Sequence, residues 1–192
     1  MNGGTNAIVV RYARDAGFTS SSAWTTFDTT RIHGRAGGYL GGAFDGRYVY
    51  FVPKGSGLAM RYDTQASFGS PSAWSTYDTA RTLELDGSAL RFFGGAFDGR
   101  FVYFLPNDAG SSIAVRYDTL SSFDAPCAWS TFDVGQLAVP DAGSVSRFIG
   151  AVFDGQFVYL IPNGPVGTAF VRFAARPPGP LPGIPYFHGS FL

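Results

Sequence analysis

An all-β fold is what this sequence predicts, on three observations. One phrase of thirteen residues occurs three times, as GGAFDGRYVYFVP at 41–53, GGAFDGRFVYFLP at 94–106 and GAVFDGQFVYLIP at 150–162. Within each copy two short apolar runs flank Asp-Gly, the dipeptide that best accepts the positive φ angles of a tight hairpin turn. The composition agrees: 19 Phe, 10 Tyr and 26 Gly against only 15% charged residues is the profile of short aromatic strands separated by glycine turns.

Each repeat holds four strand signals, here called a to d. Signal a is the glycine-rich run ending in Phe44, Phe97 or Phe153, and signal b is the aromatic run around Val49, Val102 or Val158, where Tyr50, Tyr103 and Tyr159 recur. Signal c carries an Arg-aromatic pair, at Arg11-Tyr12, Arg61-Tyr62, Arg116-Tyr117 and Arg172-Phe173. Signal d opens on Trp24, Trp74 or Trp129, each preceded by alanine. The landmarks always return in the same cyclic order, with 50–56 residues per repeat.

Read from the start, residues 7–34 hold c and d, 39–80 and 92–135 are complete units, and 147–175 hold a, b and c. The predicted repeat region is therefore 1–175, with partial units at both ends. A four-stranded antiparallel sheet of this size cannot bury both faces alone, so the copies must stack face to face. Radial stacking is a β-propeller, and each unit is then one blade. The open ends predict a homo-oligomer, in which the N-terminal c and d of one chain complete the a and b of another. A closed monomer and a fragment of a longer protein are the alternatives. The remaining segment, RPPGPLPGIPYFHGSFL at 176–192, has five prolines in its first ten residues and is not expected to form a strand there. It reads as a disordered or draped extension, or as a tail that Tyr186, Phe187, Phe191 and Leu192 anchor across a partner or in the channel.

The succession of GGAFDG, RYVYF, RYDT and AWSTYD resembles the kelch repeat of β-propellers over roughly residues 7–173. The resemblance implies four-stranded blades and says little about chemistry, since kelch-like propellers include both protein-binding modules and enzymes. The chain departs from the kelch pattern after its second strand, where Val52-Pro53, Leu105-Pro106 and Ile161-Pro162 replace a Gly-Gly pair.

Formal net charge is zero, with 14 basic and 14 acidic residues, so no overall field draws nucleic acid or an anionic membrane. No apolar run reaches the roughly 20 residues needed to span a bilayer. The first residues, MNGGTNAIVV, lack the basic flank and long apolar run of a secretory signal, so a soluble chain is expected and its compartment is left open. Cys127 is the only cysteine and cannot form a disulfide within the chain; it reads as a small residue in a serine position.

In an antiparallel blade the d–a and b–c connections emerge at one end, the a–b and c–d connections at the other. The a–b turn is Asp-Gly in every copy, and the c–d segments YDTQASFGSPSAW and YDTLSSFDAPCAW are nearly identical. That end reads as scaffold. The d–a loops diverge freely, as do the b–c loops KGSGLA and NDAGSSIA, so the candidate site lies there. Its polar side chains include Arg31, Lys54, Asn107 and Asn163. Arg35, Arg91, Asp108, Asp141 and Arg147 are the candidate ligand-binding residues, with Arg91 and Arg147 suited to a carboxylate or a sugar hydroxyl.

Candidate acid–base residues are few. His33 with Asp86 or Glu84 could act as base and partner if neighbouring blades bring them together. Two histidines without HxH, HExxH or CxxC spacing make no zinc site of the usual kind, and no GxSxG or phosphate-cradling loop occurs. Asp45, Asp98 and Asp154 admit a cation-ring reading, but the hairpin itself demands aspartate there. Trp24, Trp74 and Trp129 could stack on sugars, yet one per unit at a fixed place points to packing between units. No metal and no cofactor is expected. The functional expectation is a binding module for a protein or glycan, with a hydrolase or lyase at the channel mouth, or a scaffold fragment, as alternatives.

Overall fold

A computed structural model describes residues 7–82, 90–107, 111–137, 145, 147–164 and 170–175. They form thirteen strands in four antiparallel sheets, and the only α-helix among them is the four-residue turn Thr79–Thr82. The first sheet pairs β1 (Ile8–Tyr12) with β2 (Trp24–Asp28). In the second, β3 (Tyr39–Phe44), β4 (Tyr48–Pro53), β5 (Leu58–Asp63) and β6 (Trp74–Asp78) lie side by side in chain order. β7 (Phe92–Phe97), β8 (Phe101–Pro106), β9 (Ile113–Asp118) and β10 (Trp129–Asp133) repeat that order in the third. The fourth holds β11 (Phe148–Phe153), β12 (Phe157–Pro162) and β13 (Val171–Ala174), so β12 takes its third strand from its own chain. Each sheet falls on one repeat, and strands a to d of the sequence are the four strands in order.

The turn aspartates explain why the first hairpin of the second, third and fourth sheets closes so tightly. Oδ1 of Asp45 accepts from the N–H of Arg47 at 2.8 Å and of Tyr48 at 2.6 Å, while its Oδ2 accepts from the Tyr50 hydroxyl at 2.7 Å. Asp98 and Asp154 repeat this set with Arg100, Phe101 and Tyr103 and with Gln156, Phe157 and Tyr159. Both carboxylate oxygens therefore have protein donors, and the turn chemistry alone accounts for these residues. The following glycines, Gly46, Gly99 and Gly155, take φ of 101°, 95° and 103°, which is unfavourable for any other residue.

The sheets meet face to face through one recurring arrangement. Trp74 stacks on Phe27 of the preceding sheet at 4.6 Å between ring centroids, and Trp129 stacks on Tyr77 at 4.4 Å. Arg11 reaches forward over Phe68 and donates to the Tyr62 hydroxyl at 3.3 Å; Arg61 does the same over Phe123 and to Tyr117. The indole N–H of each tryptophan donates to a carbonyl six residues back, Phe68 or Phe123, so its polar atom is satisfied while the ring is buried. At the opposite edge β3 lies against β7 and β7 against β11. Backbones there touch through glycine: a Cβ on Gly41 would sit 2.9 Å from Cα of Gly94, and one on Gly94 would sit 2.7 Å from Cα of Gly150.

Burial raises the phenol pKa of Tyr39, Tyr50, Tyr103 and Tyr117, and the adjoining Asp45 and Asp98 carboxylates add to the effect at Tyr50 and Tyr103. A phenol whose folded pKa exceeds its unfolded value of about 10 contributes its full stability below that pH and loses it as pH rises through the folded value. The chain is expected to hold its stability to about pH 10 and then to weaken steeply. In an alkaline phenolate absorbance titration these four tyrosines should ionise only together with unfolding; their independent titration in a folded chain would contradict the packing.

Candidate functional site

Antiparallel pairing sends the β2–β3, β4–β5, β6–β7, β8–β9, β10–β11 and β12–β13 connections to one end of the sheets, opposite the Asp-Gly turns. The repeated proline at the end of β4, β8 and β12 organises this end. Proline has no N–H to extend a ladder, and the residue after it pairs instead. Lys54 N–H donates to Gly38 O at 2.9 Å, Asn107 N–H to Arg91 O at 2.7 Å and Asn163 N–H to Arg147 O at 3.0 Å, each within its own sheet.

Two of these residues also bridge to the next sheet. Lys54 forms an antiparallel bridge with Arg91, and Asn107 forms one with Arg147. The side chains extend the link: the Asn107 amide donates to Phe148 O at 2.5 Å, and the Asn163 amide donates to the Asn107 carbonyl at 3.3 Å. Lys54, Arg91 and Arg147 are exposed, and the two asparagines are half-buried. Successive repeats thus place two guanidinium groups, an ammonium and two amides along one rim. Such a set donates strongly and suits carboxylate or hydroxyl oxygens.

The structure handles the other candidates differently. Arg35 serves the fold, since it pairs with Asp78 of the next sheet's last strand and donates to Ser56 O at 3.4 Å, clipping the β2–β3 connection to the second sheet. His33 lies in the same connection, where its Nδ1 accepts from the Arg35 N–H at 3.1 Å. In the neutral ring that bond occupies the lone pair a general base would use. Its sequence-suggested partners Glu84 and Asp86 lie outside the described residues, as do Asp108 and Asp141. No three His, Cys, Asp or Glu side chains come together among the described residues.

Four further aspartates serve turns and strands. Asp28 and Asp133 cap the turns that follow β2 and β10 by accepting from Thr30 and Gly135 N–H at 2.9 Å. Asp63 and Asp118 pair across strands with Arg47 and Arg100 at 2.7 Å, and those guanidinium groups hold both carboxyls below the usual aspartate range. Sequence reading missed the Arg35–Asp78 pair and the sheet-to-sheet bridges. The second had a visible signal: Lys54, Asn107 and Asn163 all follow the repeated proline, and Arg91 and Arg147 occupy one column of the aligned repeats. The chain matches no protein-family model, no curated protein and no solved structure.

Proposed function

We propose that this chain is a ligand-binding module of the β-propeller kind, kelch-like in its repeat, that holds a protein or carbohydrate at the rim carrying Lys54, Arg91, Asn107 and Arg147. The observation that carries the reading is the pair of bridges, Lys54 to Arg91 and Asn107 to Arg147, which gathers donors from three consecutive sheets at the end with divergent loops. The propeller reading is supported by the succession of a strands, β3 on β7 on β11, in glycine contact on one side while tryptophans stack on the other. A wedge-shaped unit repeated in that way turns about an axis on its inner strands. The ammonium of Lys54 and the guanidinium groups of Arg91 and Arg147 suit a ligand that offers carboxylate or hydroxyl oxygens, such as an acidic glycan or an acidic protein surface.

A glycan array that includes uronic-acid sugars, run beside a pull-down against acidic proteins, identifies the ligand, and calorimetry then measures it. The double variant Arg91→Ala/Arg147→Ala is expected to weaken binding at least about tenfold, roughly one lost charge-assisted contact, measured at a temperature where its own thermal transition shows it folded. Undiminished affinity in that variant would remove the rim from the account.

A further inference from the structure

The two complete contacts between sheets have the same parts, and the third lacks half of them. In each complete contact a tryptophan of the following sheet covers an aromatic ring of the preceding one, and a phenylalanine sits beneath a forward-reaching arginine. Phe132 holds the position of Phe27 and Tyr77, and Arg116 the position of Arg11 and Arg61. Among the described residues, however, the fourth sheet ends at β13 with no strand bearing a tryptophan. What remains is a cavity of about 380 Å³ walled by Phe132, Arg116, Ser130, Leu160, Val171 and Phe173. Phe132 is 55% exposed, where Phe27 is 2% and Tyr77 7%.

We propose that the chain's own C-terminal segment, residues 176–192, turns back from β13 and seats Tyr186 and Phe187 in this cavity, against Phe132 and beside Arg116. Chain order argues for it, because in all three earlier sheets the residues after the c strand run to this same place. Spacing argues for it as well. Trp24, Trp74 and Trp129 follow Arg11, Arg61 and Arg116 by thirteen positions, and Tyr186 and Phe187 follow Arg172 by fourteen and fifteen. The intervening prolines are compatible with an edge position, where no ladder N–H is required. Arg176 is the only Asp, Glu, Lys or Arg in the segment, so seating its aromatic end buries no such charge.

A second copy is the competing occupant, since Trp24 and Phe18 stand 39% and 67% exposed at the other end of the chain. Trp24 lies on β2, which is paired to β1. In the complete contacts the strand beside the tryptophan strand sits where β13 already lies, so a second copy would have to displace β13.

The test places the photo-crosslinker p-benzoylphenylalanine at Phe132 in the full chain, irradiates it and maps the joined peptides. The expected product is cross-linked within one chain of 20.5 kDa and joins position 132 to the peptide containing Tyr186 and Phe187. A product of twice that mass, a link to the segment around Phe18 and Trp24, or no link to the C-terminal peptide would overturn the proposal. Hydrogen exchange on the chain without the probe supplies an independent reading. Tyr186→Ala/Phe187→Ala should speed amide exchange in Val171–Ala174 at least tenfold and leave Leu58–Asp63 unchanged, and equal rates in β13 would likewise overturn it.

Discussion

Trp129→Ala is expected to lower the unfolding free energy by about 3–5 kcal/mol, the range for emptying a buried aromatic site. Trp129 is 4% exposed and touches Tyr77, Phe104, Tyr117 and Phe123 from two sheets, so its loss leaves a hole that neither rigid sheet can close. Because domains are typically stable by only about 5–15 kcal/mol, one substitution removes a large share of the total. Trp74→Ala should behave alike, since its ring is 5% exposed and stacks on Phe27. Trp24→Ala should cost about 1 kcal/mol or less, because among the described residues Trp24 touches only rings of its own sheet, Tyr12 and Phe18. Urea titrations of the three variants give the comparison. Equal losses at all three positions would show that the tryptophans stabilise their own hairpins and not the contact between sheets.

Gly94→Ala is expected to cost roughly 2–5 kcal/mol, combining about 1–2 for a left-handed residue with a side chain and about 1–3 for overpacking. Gly94 has φ of 70°, and its Cβ would fall 2.6 Å from Ile149 O and 2.7 Å from Cα of Gly150. Both obstacles are backbone of the next sheet, so no rotamer change relieves them. Gly69→Ala is the matched control, with nothing within 4 Å of its added Cβ and no positive φ, and should stay within about 0.5 kcal/mol of the parent. Denaturation midpoints of the two variants decide the matter. A Gly94→Ala chain as stable as Gly69→Ala would mean that β7 and β11 lie farther apart than described.

The strands and turns were legible in the sequence because they are local. The aromatic-apolar run FVYFLP and the Asp-Gly after Phe97 need no knowledge of the rest of the chain. The packing role of Trp74 and Trp129 was legible too, since a bulky ring at one place in successive units meets the neighbouring unit. Trp24, read the same way, touches only rings of its own sheet among the described residues. Contacts across sheets were not legible in detail. Glycine at 41, 94 and 150 reads as a feature of each strand, and only the assembled sheets reveal that Gly41 meets Gly94 and Gly94 meets Gly150. Arg35 shows the same limit at the candidate site: in sequence it is a loop cation like Arg91, and Asp78, which engages it, is forty-three residues away. The cavity beside Phe132 was hidden for a further reason, because it opens where the two four-stranded sheets place their fourth strand and the described part of the last sheet has three.

Paired double-mutant cycles, Phe27→Ala with Trp74→Ala and Tyr77→Ala with Trp129→Ala, test most directly that a single contact is used again between successive sheets. The two cycles should return couplings of the same sign and similar size, about 0.5–1.5 kcal/mol each for a stacked aromatic pair. Coupling near zero in either cycle would contradict the account.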